Sequence, residues 1–136
     1  MRLASSALLF GVLLACTTAV GLSAQNPGGS PEGKALKNPV ATSAESVAAG
    51  QALYGRNCRF CHGATAKGDG AMAPKNSHPS DLTDAKWVRG ATDGEIYKVI
   101  HQGAGPEYVM KGYSGRLTDA DIWNIVNYLR SIGPKK

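Results

Sequence analysis

Cysteine, histidine and aromatic side chains are scarce in this chain, and each shortage narrows what it can be. There are 3 cysteines and 3 histidines in 136 residues, and aromatics make up 7%. Cys58 and Cys61 stand almost together and Cys16 lies near the N-terminus, so no disulfide can staple a long loop of the body of the chain. A zinc site needs more ligands than one cysteine pair and the lone histidines His78 and His101 supply. Apolar runs are short, and the one near the N-terminus is too brief for a comfortable membrane span. The 15 Lys+Arg exceed the 10 Asp+Glu but are scattered, so nucleic-acid binding is not expected. No segment alternates apolar and polar residues as a half-buried strand does.

What is present begins with an export signal over residues 1–24. Arg2 supplies the positive charge, Leu8, Leu9, Phe10, Val12, Leu13 and Leu14 form the apolar core, and small residues lead to cleavage after Ala24. Leu13-Leu14-Ala15-Cys16 supports a second reading, a lipoprotein signal that ends before a lipidated Cys16. From 25 to 41 the chain is rich in Pro, Gly, Ser, Asn and Lys and reads as a flexible linker. The folded domain is expected over 42–136. A core of that size is marginal by area alone and needs a staple, which a covalently held cofactor would provide.

Three segments have helical period and start signals. The first opens at Thr42 with Glu45 in the capping-box position and carries Val47, Tyr54, Cys58 and Cys61 near one face. The second opens at Thr92 with Glu95 three residues on, continues through Ile96, Val99 and Ile100, and stops at Gly103. The third opens at Thr118 with Asp121 in the box position. Its stripe of Ile122, Ile125, Val126 and Leu129 ends before Gly133 and Pro134. A short helical turn is expected over 84–88. The fold class is all-α, with long loops that need something to wrap around.

Cys58-Arg59-Phe60-Cys61-His62 is a C-x-x-C-H, the pattern of covalent haem attachment. Two thiols three residues apart on a helix share a face, so each can add to one vinyl group. The adjacent His62 then ligates the iron as a neutral imidazole. A thioredoxin-type reading of the same residues requires a βαβ pattern, which is missing.

With these residues in hand, the segment from about Ala48 to Ile132 resembles a bacterial class I cytochrome c. The likeness rests on Ala49-Gly50 followed by Tyr54, on Cys58 to Gly63 with Gly68-Asp69-Gly70, on Ser80-Asp81-Leu82-Thr83, and on Trp123 through Arg130, WNIVNYLR. The resemblance implies a small cytochrome c fold, three main helices plus loops wrapped around one haem c. It implies Met110 as the distal iron ligand, in the loop between the second and third helices, with Lys111 where the family usually has proline. Met72, soon after the attachment motif, is the alternative. It implies that the Pro74 carbonyl accepts the other N–H of His62, that Gly50 is the close contact between first and last helices, and that Tyr54 and Tyr128 pack there. Trp87 and Arg89 are expected to be a core tryptophan and a solvated arginine, although both could reach haem propionates. His78 and His101 are expected at the surface.

The function the resemblance implies is one-electron transfer between periplasmic or membrane redox partners, with no substrate transformed. Partners would dock transiently at the exposed haem edge. A dedicated cytochrome subunit of a dehydrogenase or terminal oxidase is the first alternative. A haem sensor or peroxidase-like enzyme with an open sixth position is the second. The protein is expected to be exported, either soluble or held at a membrane through Cys16.

Overall fold

The helices that begin after Ser30, Ser43, Thr92 and Thr118 each start where a hydroxyl side chain takes up a free backbone N–H. The computed structural model describes residues 29–105 and 109–134. Over these the elements are α1 (Pro31–Ala35), α2 (Ala44–Asn57), α3 (Arg59–His62), α4 (Asp93–Gln102) and α5 (Asp119–Ile132). The extended pairings are single bridges, Gly103 with Lys111 and Ser114 with Leu117. The described residues are therefore helical with loops, as expected. The export-signal residues, Cys16 and Ala24 among them, lie outside the described range.

The capping boxes Thr92/Glu95 and Thr118/Asp121 both form, with hydroxyl and carboxylate satisfying each other's N–H groups. At α2 the cap is Ser43 rather than Thr42. The Ser43 hydroxyl accepts the Ser46 N–H at 3.2 Å, while the Thr42 hydroxyl donates to Asn127 Oδ1 at 3.1 Å and is thereby committed elsewhere. The turn expected over 84–88 is non-helical. Asp84 Oδ1 accepts the Lys86 N–H at 2.8 Å, a local side-chain bond that competes with helix.

α2 and α5 cross at Gly50. A Cβ built there would stand 1.9 Å from the Asn124 carbonyl oxygen and 2.8 Å from Tyr128 Cβ, so only glycine lets the helices meet. One turn on, the Tyr54 and Tyr128 rings pack with centroids 5.3 Å apart. Ile122, Ile125, Val126 and Leu129 of α5 are buried with Ile96 and Ile100 of α4. Each such side chain contributes about 1.5–3 kcal/mol through burial. Tyr97 of α4 stacks on Trp123 of α5 at 4.2 Å.

The stretch expected as a flexible linker is built into the fold from Ser30 onward. Ser30 caps α1 by accepting the Gly33 N–H at 3.1 Å, and Pro31 occupies the first turn. α1 lies so close on α4 that a Cβ at Gly94 would meet the Gly33 carbonyl oxygen at 2.2 Å. Further on, buried Asn127 of α5 accepts from Asn38 Nδ2 at 2.8 Å and donates to the Val40 carbonyl at 3.2 Å and to Ser46 Oγ at 2.8 Å. Polar bonds and close backbone approach hold this strap, which is why its composition resembles a linker.

Candidate functional site

The site grows from the end of α2. The Cys58 N–H closes the last turn on the Tyr54 carbonyl at 2.8 Å, and Cys58 then starts the short α3 by accepting the His62 N–H at 2.9 Å. The break places both thiols and His62 within one turn. Cys58 and Cys61 are free thiols and half-buried.

The loop after α3 folds back on it. Gly68, Gly70 and Met72 donate their N–H groups to the carbonyls of His62, Cys61 and Phe60 at 2.8, 3.1 and 2.9 Å. A Cβ at Gly70 would sit 2.4 Å from the Phe60 carbonyl oxygen, so the approach requires glycine. The same carbonyls that a short helix would leave open are thus satisfied by the loop. Ala66, wholly buried at φ 61°, fixes the next bend, and its carbonyl accepts the Leu82 N–H at 2.7 Å.

That bend carries Ser80 to His62. His62 Nδ1 lies 3.2 Å from the Ser80 carbonyl oxygen. This corrects the expectation for Pro74, whose carbonyl instead accepts the Ser77 N–H at 2.8 Å and the Ser77 hydroxyl at 2.9 Å. The intervening loop is long, and its turn at 74–77 closes on itself before the chain returns to α3. With Nδ1 facing a carbonyl, that nitrogen bears the proton and Nε2 keeps its lone pair. Burial lowers the His62 pKa, outweighing the Ser80 carbonyl, which favours the charged form. The imidazole is a neutral donor, as iron ligation requires.

Burial, with a smaller contribution from Cys61, pushes the Cys58 thiol up to about 12. A thiol held protonated in this way is a poor redox nucleophile, which weighs against thioredoxin-type chemistry. Like Cys58, the side chains Leu82, Trp87, Met110 and Tyr113 are only partly covered and pack against the buried core, and Val109 is 60% exposed. Two free thiols, a neutral imidazole with one nitrogen tied back and a half-covered apolar margin fit a covalently attached haem.

The two methionines stand apart. Met72 is 68% exposed and its carbonyl lies 3.7 Å from Cys61 Sγ, on the attachment side. Met110 is partly buried against the core, as are Cys58 and Tyr113, and its carbonyl accepts the Ala104 N–H at 2.9 Å. The structure does not bring the other histidines to the site. His78 is exposed, and His101 stacks on Tyr97 at 5.5 Å with Nε2 3.9 Å from Asp119. Trp87 lies under the Arg130 guanidinium, 5.8 Å from its ring centroid, and Arg130 holds Asp93 at 2.6 Å.

The hydroxyls of Tyr54 and Tyr113 bracket the attachment segment. Tyr54 donates to the Gly63 carbonyl at 2.7 Å, just after His62, and Tyr113 donates to the Asn57 carbonyl at 2.7 Å, just before Cys58. The sequence shows both tyrosines, but their carbonyl partners are set by the fold.

A helical domain that offers two thiols and an adjacent neutral imidazole from one turn is of the haem c class. The comparisons carry this to a family. The cytochrome c family model matches residues 47–133, and the chain belongs to that family. Relatives include the Cbb3-type cytochrome c oxidase subunit CcoP of Azospirillum sp. (strain B510), 32% identical over 99 residues, 73% of this chain and 33% of that protein. The corresponding FixPc subunit of Rhizobium leguminosarum bv. viciae is 34% identical, with 62% of this chain and 27% of that protein covered. The chain thus spans about a third of the length of the curated relatives it matches. Cytochrome cL of Methylophaga aminisulfidivorans is a structural neighbour at TM-score 0.57 and 26% identity, covering 68% of this chain and 56% of that one. The family binds haem c covalently, and Cys58 and Cys61 lie in its attachment motif. This is a monohaem domain of the small cytochrome c fold.

Proposed function

We propose that Cys58 and Cys61 carry the thioethers, that His62 ligates the iron through Nε2 and that Met110 is the opposite ligand. The protein then passes single electrons between protein partners and transforms no substrate. The observation that carries this reading is the placement of His62, with Nδ1 on the Ser80 carbonyl and Nε2 left as the donor. The haem supplies the change between ferrous and ferric iron. The chain's residues hold it, keep the imidazole neutral and oriented, and cover it with apolar side chains. Ser80 makes the imidazole a stronger donor, and a thioether from Met110 would favour the ferrous state.

Export from the cytoplasm follows from the N-terminal signal, ending either at Ala24 or before a lipidated Cys16. No helix among the described residues is long and apolar enough to cross a membrane. Docking is brief and uses the exposed margin near Val109. A standing place in an oxidase is the second reading, favoured by relatives named as Cbb3-type oxidase subunits. Gentle purification separates them. A freely diffusing holoprotein that reduces or oxidises added partners supports the carrier, and stoichiometric co-purification with an oxidase supports the subunit. The ligand set is tested by the ferric spectrum of the holoprotein, where a methionine–iron charge-transfer band in the red is expected. A high-spin spectrum with an open sixth position would refute the set.

A further inference from the structure

The loop that carries Met110 is tied to the α4 end and to the attachment segment by different groups. On the α4 side the ties are backbone. Ala104 donates to the Met110 carbonyl at 2.9 Å, Tyr113 to the Ile100 carbonyl at 2.9 Å and Ser114 to the His101 carbonyl at 3.0 Å. On the attachment side a side chain makes the tie, the Tyr113 hydroxyl donating to the Asn57 carbonyl at 2.7 Å. Asn57 is the last residue of α2 and precedes Cys58. The Tyr113 ring is half-buried at the core margin, and the Arg116 guanidinium covers it 4.3 Å from the centroid. Leu117 and Arg116 both donate to the Tyr113 carbonyl, so the backbone of this residue is fixed as well. Among the described residues no other side chain of 109–117 has a hydrogen bond to the 57–63 segment.

We infer that Tyr113 is a positioning residue that keeps the Met110 loop closed against the haem-attachment segment, and so sets how readily the distal ligand lets go. This rests on the proposed role of Met110. The phenol acts through the loop and takes no part in ligation. A loop that opens exposes the sixth position, and an added ligand then binds with an apparent affinity reduced by the open fraction. Removing one hydrogen bond of ordinary net strength raises the open fraction about fivefold.

The test is imidazole binding to the ferric holoprotein. Tyr113→Phe should tighten the apparent imidazole affinity about fivefold. Tyr97→Phe loses a comparable hydroxyl bond, to Asp119 at 2.7 Å and away from the loop, and should leave the affinity unchanged. Met110→Ala should tighten it much more, and adding Tyr113→Phe to Met110→Ala should then change nothing further. If Met110→Ala leaves imidazole affinity unaltered, Met110 is not the ligand and the inference falls with it. If Met110→Ala acts as expected but Tyr113→Phe equals wild type, the ligand assignment stands and the role of Tyr113 is overturned. A Tyr113→Phe effect that persists in full without Met110 also overturns it, because the phenol would then act on the iron site by another route.

Discussion

The two methionines of the folded domain differ in exposure, and the proposed distal ligand is the more covered of the two. Met72 points from the loop that backs the attachment turn and is mostly in water. Met110 is partly buried and packs against the core. Met110→Ala should therefore abolish the red charge-transfer band and lower the reduction potential by on the order of tenths of a volt, the scale that axial ligands command. Met72→Ala should keep the band and leave the potential nearly unchanged. Reversal of the two results would exchange the assignments. The attachment residues were legible because Cys58, Cys61 and His62 fall within five consecutive residues, so their spacing is set locally. The Ser80 carbonyl was not. It is a backbone group eighteen residues from His62, and nothing in the Ser80 side chain announces that its carbonyl turns inward.

Helix starts were readable where one hydroxyl and one carboxylate three residues apart decide them, as at Thr92 and Thr118. At α2 two adjacent hydroxyls competed, and only the distant Asn127 shows why Ser43 is the cap. The strap of 30–41 escaped the reading for a related reason. Hydrophobic period reports apolar burial, and this segment is held by Asn38, Asn127 and the bare backbone at Gly33 and Gly94. Asn127→Ala should remove several buried bonds at once and destabilise the holoprotein by about 3 kcal/mol in urea unfolding. An effect below the roughly 0.5 kcal/mol typical of surface changes would show that the strap contributes little. At the α2–α5 crossing, Gly50→Ala drives a methyl into the Asn124 carbonyl, which neither helix can relieve without sliding. A loss at the upper end of the about 1–3 kcal/mol typical of overpacking is expected, read from the same unfolding curves. Wild-type stability would mean that the helices can separate freely.

The described residues form a small set of helices with several apolar side chains left only partly covered, and the haem is expected to complete that core. Binding a group only in the folded state stabilises that state, so the chain without haem should be largely unfolded. Far-UV circular dichroism of the Cys58→Ala/Cys61→Ala protein should show little helix and no cooperative melt. Native-like helicity would mean that the polypeptide core suffices by itself. The central claim is that this chain is a covalent one-haem protein built on Cys58 and Cys61, and the most direct test is the intact mass of the mature protein under denaturing conditions, from cells able to mature c-type haem. The expected mass is one processed polypeptide plus one haem, with the haem increment absent from the double cysteine variant. A wild-type mass equal to the bare polypeptide, or a haem increment that survives loss of both cysteines, would contradict it.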